Sequence, residues 1–398
     1  MKHHLFLVAC LAAASALTSC TNDDSDLDSL VADYDAALME GLTPIVWDAT
    51  PLSESDPVTP GDNDFEENTT WNYHVNIAFS ADGATVTGDR SVLRQVTVEG
   101  GRVTVRSVAK GVEYTLSGTT DNGCFKVYSD SKFKITLNGV SIHNPAGAAI
   151  NNQGGKSLYV AIAAGTENRL SDGTEYATPA TEDEKGTLFS EGQVIFSGSG
   201  TLMVDGSCKN GICSDDYIVF RPGNVINVTT AAGHGIKAND GVTIRGGVLN
   251  VMTTADGAKG INSEAAVSVS GGRATVITSG NSLVEDTDTT SSAGIKCDSS
   301  FVQTAGAVLL KSTGEGGKGI NSDRHVTVSG GRLNVMVTGS KLLSSPKGIK
   351  AGADIMLTGG EISVFSAKST PIDAAGSLVI GQGYTTYDNG SRRFTLSY

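Results

Sequence analysis

Five residues, Lys237, Asn262, Lys296, Asn321 and Lys350, recur in one context: each follows an isoleucine that itself follows a glycine. Two positions beyond them stand Asn239, Glu264, Asp298, Asp323 and Gly352, and one unit upstream the same offset holds Asp215. Ammonium and amide groups donate hydrogen bonds to carboxylates and hydroxyls. A column of carboxylates repels itself and needs either lysines or a hard cation such as calcium. Two chemistries fit the pattern. One is a solvated charge ladder that neutralises itself. The other is a polar groove that binds a polysaccharide through Lys237, Asn262, Lys296, Asn321 and Lys350, with Asp215, Glu264, Asp298 and Asp323 as calcium ligands.

Such columns exist only if the chain stacks equal positions, so repetition comes first. Taking the isoleucine as position zero, the series is Phe125, Ile150, Leu188, Ile212, Ile236, Ile261, Ile295, Ile320, Ile349 and Ile372. Successive gaps are 25, 38, 24, 24, 25, 34, 25, 29 and 23 residues. Apolar pairs follow at fixed offsets: Val242, Ile244, Leu249 and Val251 after Ile236, and Val326, Val328, Leu333 and Val335 after Ile320. The period of two is that of a strand. Gly246-Gly247, Gly271-Gly272, Gly330-Gly331 and Gly359-Gly360 separate the second run from the third, where a tight corner calls for positive φ. Three strands and three corners per unit predict an all-β, right-handed parallel β-helix of about ten coils with capped ends, the hand following the general crossover preference. A leucine-rich repeat is excluded by the missing leucine spacing and helical segment.

Coils rise by about 4.8 Å, so the alternating lysines lie about 9.6 Å apart. Position two holds Ser214, Ala238, Ser263, Cys297, Ser322 and Ala351, all small and expected inside a sharp corner, which leaves positions one and three facing out. Insertions at 167–186, 280–293 and 339–347 precede position zero and are expected to project from one edge, where solenoids often carry ligand loops. Tyr176 is their only aromatic residue, so no broad stacking platform for crystalline glycan is expected.

Residues 1–20 carry Lys2, an apolar run and Leu17-Thr18-Ser19-Cys20. This is an export signal, too short to span a membrane. Its end resembles a bacterial lipobox, which implies cleavage before Cys20 and acylation of that thiol. Asp23, Asp24, Asp26 and Asp28 behind it resemble the acidic signal of Bacteroidetes lipoproteins displayed at the outer surface. The expected place is therefore the outer membrane, cell-surface exposed, with the periplasmic side as alternative. Residues 21–70 hold fourteen acids and no Lys or Arg, and are expected to form a flexible acidic tether. The folded domain is expected over 71–398, with 29 acids against 28 bases. The formal charge of −14 thus belongs to the tether, and without a basic stripe nucleic acid is excluded as a partner. Strand patterns near 74–79, 96–98 and 103–105 read as an N-terminal cap or imperfect first coils, and 394–396 as a C-terminal cap.

The runs YTLSG at 114–118, LNGVSI at 137–142, GTENRLSDG at 165–173, SGSGTL at 197–202 and NGI at 210–212 occur in workable order. Together they resemble a family of bacterial β-helical carbohydrate-binding proteins known from cellulolytic clostridia. The resemblance is best over about 112–270. It implies binding of cellulose or pectic polymers, bound calcium, and a fold shared with polysaccharide lyases. Members tend to place an acid just before the Gly-Ile step, whereas this chain has Asn210, His234, Lys259, Ala293, Lys318 and Lys347 there. The expected function is a surface-displayed, non-catalytic polysaccharide-binding lipoprotein for acidic or pectic glycans. A calcium-dependent lyase, with Asp298, Asp323, Lys296 and Lys350 as its parts, is the alternative, and a protein-binding adhesin the second. Asp215-Asp216 lacks the further acidic pair that a β-helical hydrolase needs. His234 reads as a turn or surface residue without metal partners. Cys208 and Cys213 could bridge a corner in an oxidising compartment, and Cys297 reads as core packing.

Overall fold

The computed structural model describes residues 42–398, apart from positions 178, 287, 383, 389–392 and 398. The signal, Cys20 and the first part of the tether lie outside the described residues. Residues from Ile45 onward form one unit. It is nearly all β, with 2% helix, and winds into a parallel solenoid of about 11 turns.

The ten residues placed at position zero stack in a single register, from Phe125↔Ile150 and Ile150↔Leu188 through to Ile320↔Ile349 and Ile349↔Ile372. Val103 extends the ladder upstream through its pairing with Phe125. The second face stacks Val242, Val267, Phe301, Val326, Ile355 and Leu378. The third stacks Leu249, Ala274, Val308, Leu333 and Ile362. Their inward side chains make one continuous core from Val75 to Leu396. At the corner between these two faces, the second glycine of each pair takes a left-handed φ: 77° at Gly247, 73° at Gly272, 78° at Gly331 and 90° at Gly360.

Both ends are blocked by antiparallel strands, as a ladder with open edges requires. The hairpin of Tyr73–Ser80 and Gly83–Gly88 and the pair Val96–Glu99 and Gly101–Ser107 close the start. Arg393–Ser397 runs antiparallel to the last long strand at the other end, burying Phe394 and Leu396.

One expectation fails. Residues 45–70 are not a flexible tether but a strap laid across the second face and on to the third. Each of its seven acids has a partner on the solenoid. Arg221 holds Asp56 at 3.1 Å and Glu67 at 2.9 Å. Arg245 holds Asp64 at 2.5 Å and Asp62 at 3.8 Å. Arg273 holds Asp48 at 3.1 Å, and Lys134 holds Glu66 at 3.3 Å. Glu54 accepts from the backbone N–H of Gly247 at 2.9 Å and of Gly272 at 2.8 Å. Phe65 is buried, with the Arg221 guanidinium 4.2 Å from its ring centre. Composition marks the segment as solvated because its bases lie far away in sequence, the three arginines more than a hundred residues on. The ordered body thus begins before Trp71.

This docking makes a prediction. Arg221 is nearly buried, and charged hydrogen bonds of this kind are each worth about 1.5–3 kcal/mol. Arg221→Ala should therefore lower the melting temperature and expose residues 45–70 to limited proteolysis. Wild-type protein should show the same cleavage only at high salt. A strap equally resistant in both proteins would overturn the assignment.

Candidate functional site

The Gly-Ile step explains how the first face presents its side chains. A Cβ on Gly260 would overlap Val276 Cγ1, one on Gly319 would overlap Val335, and one on Gly348 would overlap Val364. The glycine therefore turns inward, as does the isoleucine after it. Two successive inward residues break the strict alternation of a strand. The residue before the glycine then shares the outer side with the residue after the isoleucine. Two outward columns result where the sequence pattern had marked one.

They meet in a cleft of about 700 Å³ over the last coils. Asn262, Lys296, Asn321 and Lys350 line it from the column after the isoleucine, and Lys259, Lys318 and Lys347 from the column before the glycine. The inserted segments supply its rim: Thr289, Thr290 and Ser291 from the second, Ser344 and Ser345 from the third. The two insertions touch through Ser282 Oγ and Ser344 Oγ, 3.0 Å apart. The second insertion contains a small hairpin, Leu283–Glu285 with Asp288–Thr290. Four of the five residues expected to bind glycan are thus brought together. Lys237 is not; it lies outside the lining and is tied to Glu264 at 3.1 Å.

Lys259, Lys318 and Lys347 are the residues that the sequence reading missed. They stood out only as bases where the resembling family tends to have acids, and strict alternation offered no reason to put them on the open side. Their electrostatics set them apart. Lys259 is 8% exposed and Lys318 is 6% exposed. Lys259 donates to Gly257 O at 2.6 Å, and Lys318 donates to Ser291 Oγ and to Gly316 O. Neither has a carboxylate partner among the described residues. Burial, aided by Lys296, lowers the Lys259 ammonium to about 8. Burial, then Lys350, Lys347 and Lys259, lower Lys318 to about 8 as well. His234, one coil before Lys259 in the same column, is pushed down to about 3 by burial and by Lys259 and Lys237, so it stays neutral. Lys347 is held by Asp373 at 3.1 Å.

None of the four carboxylates expected to hold calcium lines the cleft. Asp298 and Asp323 both bind Lys296, the latter at 2.8 Å, and Glu264 binds Lys237. Burial works against the Lys296 ammonium, but its two aspartates outweigh this and raise it. Asp215 binds Lys185 at 2.6 Å. Each of these carboxylates thus holds a lysine ammonium, and Asp215 also lies with Asp183 and Glu191, their carboxylate oxygens all within 4.8 Å of one another. Asp216 takes a hydrogen bond from Gln193.

Further up the first face, the outward position is covered. Cys213, expected in the open, is buried with Phe189 and Ala148. The insertion that covers them begins at 173 rather than 167, since Glu167–Asp172 is a third-face strand. Its Glu182 binds Lys126 at 2.7 Å, and its Glu184 accepts from Asn151 Nδ2 at 2.7 Å. Tyr176 is bound to Asp172 and packs under Lys209. Cys124, Cys208, Cys213 and Cys297 are free thiols, Cys297 in the buried small column.

The carbohydrate-binding domain-containing protein family matches the chain over residues 99–264, 257–342 and 314–392. No curated protein matches. Among solved structures, the polysaccharide lyase-like protein from C. thermocellum, as its gadolinium derivative, aligns at TM-score 0.43 and 22% identity, covering 69% of this chain and 99% of that one.

The two depressed lysines have a stability consequence. In the unfolded chain a lysine holds its proton up to about 10.4, whereas Lys259 and Lys318 release theirs near 8 in the folded protein. Between these values the unfolded state binds more protons, so the two groups make stability rise with pH. Lys318→Met should therefore raise the melting temperature at pH 7 and flatten its increase from pH 8 to 10. A fall in melting temperature at pH 7 would show that the ammonium is not strained.

Proposed function

Because the chain belongs to the carbohydrate-binding domain-containing protein family, we propose that the lysine-lined cleft binds an acidic polysaccharide, of the uronate or pectic kind, without acting on it. One observation carries this reading. Lys259, Lys318 and Lys350 face one cleft, and none has a carboxylate partner among the described residues. By contrast Lys296 and Lys347 in the same lining, and Lys126, Lys134, Lys185 and Lys237 outside it, each hold a carboxylate within 3.1 Å. Crowded, half-buried ammonium groups cost stability, and sites that tolerate such cost are typically functional. A bound carboxylate would relieve it. Asp373, which holds Lys347, is the one carboxylate in the lining; the rest is hydroxyl and amide, from Asn262, Asn321 and the serines and threonines of the rim, which suits sugar hydroxyls. The two columns run along the solenoid axis, so a chain laid along them meets a new rung about every 4.8 Å.

Isothermal titration with polygalacturonate tests this. Combining Lys318→Met with Lys350→Ala should weaken binding at least about tenfold, or about 1.4 kcal/mol. Wild-type affinity should fall as pH rises from 7 to 9.5, because Lys259 and Lys318 lose their protons near 8. Binding should also draw protons from buffer at pH 8–9. Failure to bind any uronate polymer would sink the proposal.

A second reading has one specific support. An amine that titrates near 8 is partly neutral at cellular pH and sits beside cations that would hold a uronate carboxylate, as a β-eliminating base requires. Release of unsaturated uronides during the same incubation would replace the non-catalytic reading with that of a lyase.

We place the domain at the outer surface of the outer membrane through acylation of Cys20. Labelling with a clickable palmitate in the native host should mark the wild-type protein and not Cys20→Ser, and surface protease should digest the intact-cell form. An unlabelled wild-type protein would remove the anchor.

A further inference from the structure

The same charge logic singles out a second place. Lys110, Lys132 and Lys156 line a cleft of about 540 Å³ far from the first in sequence. Each comes from one of three successive corners at which the first face turns into the second: after Ser107, after Ser129 and after Asn152. Coil spacing puts Lys110 and Lys156 two rungs, or about 9.6 Å, apart, with Lys132 on the rung between. Among the described residues none of the three forms an ion pair. Asp130 is the one carboxylate in the lining. Three ammonium groups facing one concavity with a single acid leave two positive charges without counter-ions.

The rest of the lining is a polar wall: Asn63, Thr69 and Thr70 from the strap, Asn72 just after it, and Ser131, Ser157 and Gln193 from the coils. The wall is held in place from behind, since Tyr159 donates to Asn63 O at 2.6 Å and Phe65 is buried between Arg221 and Arg245. Amides and hydroxyls that both donate and accept, beside unneutralised lysines, match a ligand carrying several hydroxyls and more than one acid group.

We infer that this cleft is a second binding site for an acidic oligosaccharide segment, completed only when the strap is docked. It shares the ligand class of the lysine cleft on the first face but none of its residues. With two such sites, one molecule would bind a polymer bivalently, and tethering raises the effective concentration for the second contact. The strap then has a role beyond stability, because the ligand bridges it to the coil corners.

Hydrogen exchange on the full mature chain, with and without tetragalacturonate, separates the sites. With the oligosaccharide at about ten times its Kd, exchange at 69–72 and 155–157 should slow about tenfold in wild-type protein. The Lys110→Ala, Lys132→Ala, Lys156→Ala variant changes only corner side chains; it should lose that protection and keep protection at 344–350. Arg221→Ala, which loosens the strap, should lose it too. Protection at 344–350 without any at 69–72 in the wild type would overturn this inference and leave the proposed function standing. Protection at 69–72 that persists in the triple variant would overturn it as well. No protection at either place would defeat both.

Discussion

The structure depends on one constraint: successive coils stack in register, so every residue meets its counterparts about 4.8 Å above and below. For apolar residues this is favourable. Ten position-zero residues form one unbroken inward column, and the small residues two places on let the corner close behind them. For charged residues it is costly, because like charges are brought together by the same repeat that builds the core. Each outward column therefore needs a device for its charge. Alternating lysine with asparagine halves the density along one column. Carboxylates of the neighbouring column then neutralise two of these lysines: Glu264 on the next coil for Lys237, and Asp298 with Asp323 of the next coil for Lys296.

The lysines left over matter because so many of the neighbouring charges are neutralised. Seven acids of the strap are matched by three arginines, one lysine and two backbone N–H groups on the solenoid. Glu182 and Glu184 of the first insertion are likewise spent on the upper first face. Against that background six ammonium groups without an ion pair among the described residues line two clefts: Lys259, Lys318 and Lys350 in one, Lys110, Lys132 and Lys156 in the other. Lys259 and Lys318 show the cost, since burial and their neighbours pull both down to about 8.

The Gly-Ile step links core and cleft. Glycine is required because the valine of the third face fills the space a Cβ would occupy. Turning that glycine inward moves the preceding residue outward, which puts Lys318 beside Asn321 and Lys350. The insertions fall just before this step in the coil, so their serines and threonines rise as a rim around the same columns. One local backbone feature thus positions the lysines, their spacing along the axis and the loops that enclose them.

Fold was legible in the sequence because it rests on local periodicity repeated many times. The spacing of Phe125 to Ile372, the period-two pairs and the paired glycines each state where a strand or corner falls, and every copy reinforces the others. Four of the five outward residues assigned to a groove were legible for the same reason. Lys259, Lys318 and Lys347 were not, because two inward residues in succession depart from alternation and only packing against Val276 and Val335 enforces it. The strap was misread because its counter-charges, Arg221, Arg245 and Arg273, are distant in sequence and become neighbours only after the coils have stacked. The pairing of the carboxylate column was hidden for a related reason: the sequence places the carboxylates in line, but side-chain geometry decides that Lys185, Lys237 and Lys296 reach them. Periodicity determines which residues share a rung; the tertiary structure alone decides which charges on neighbouring rungs and segments cancel, because Coulomb energy depends on distances that a linear pattern does not contain.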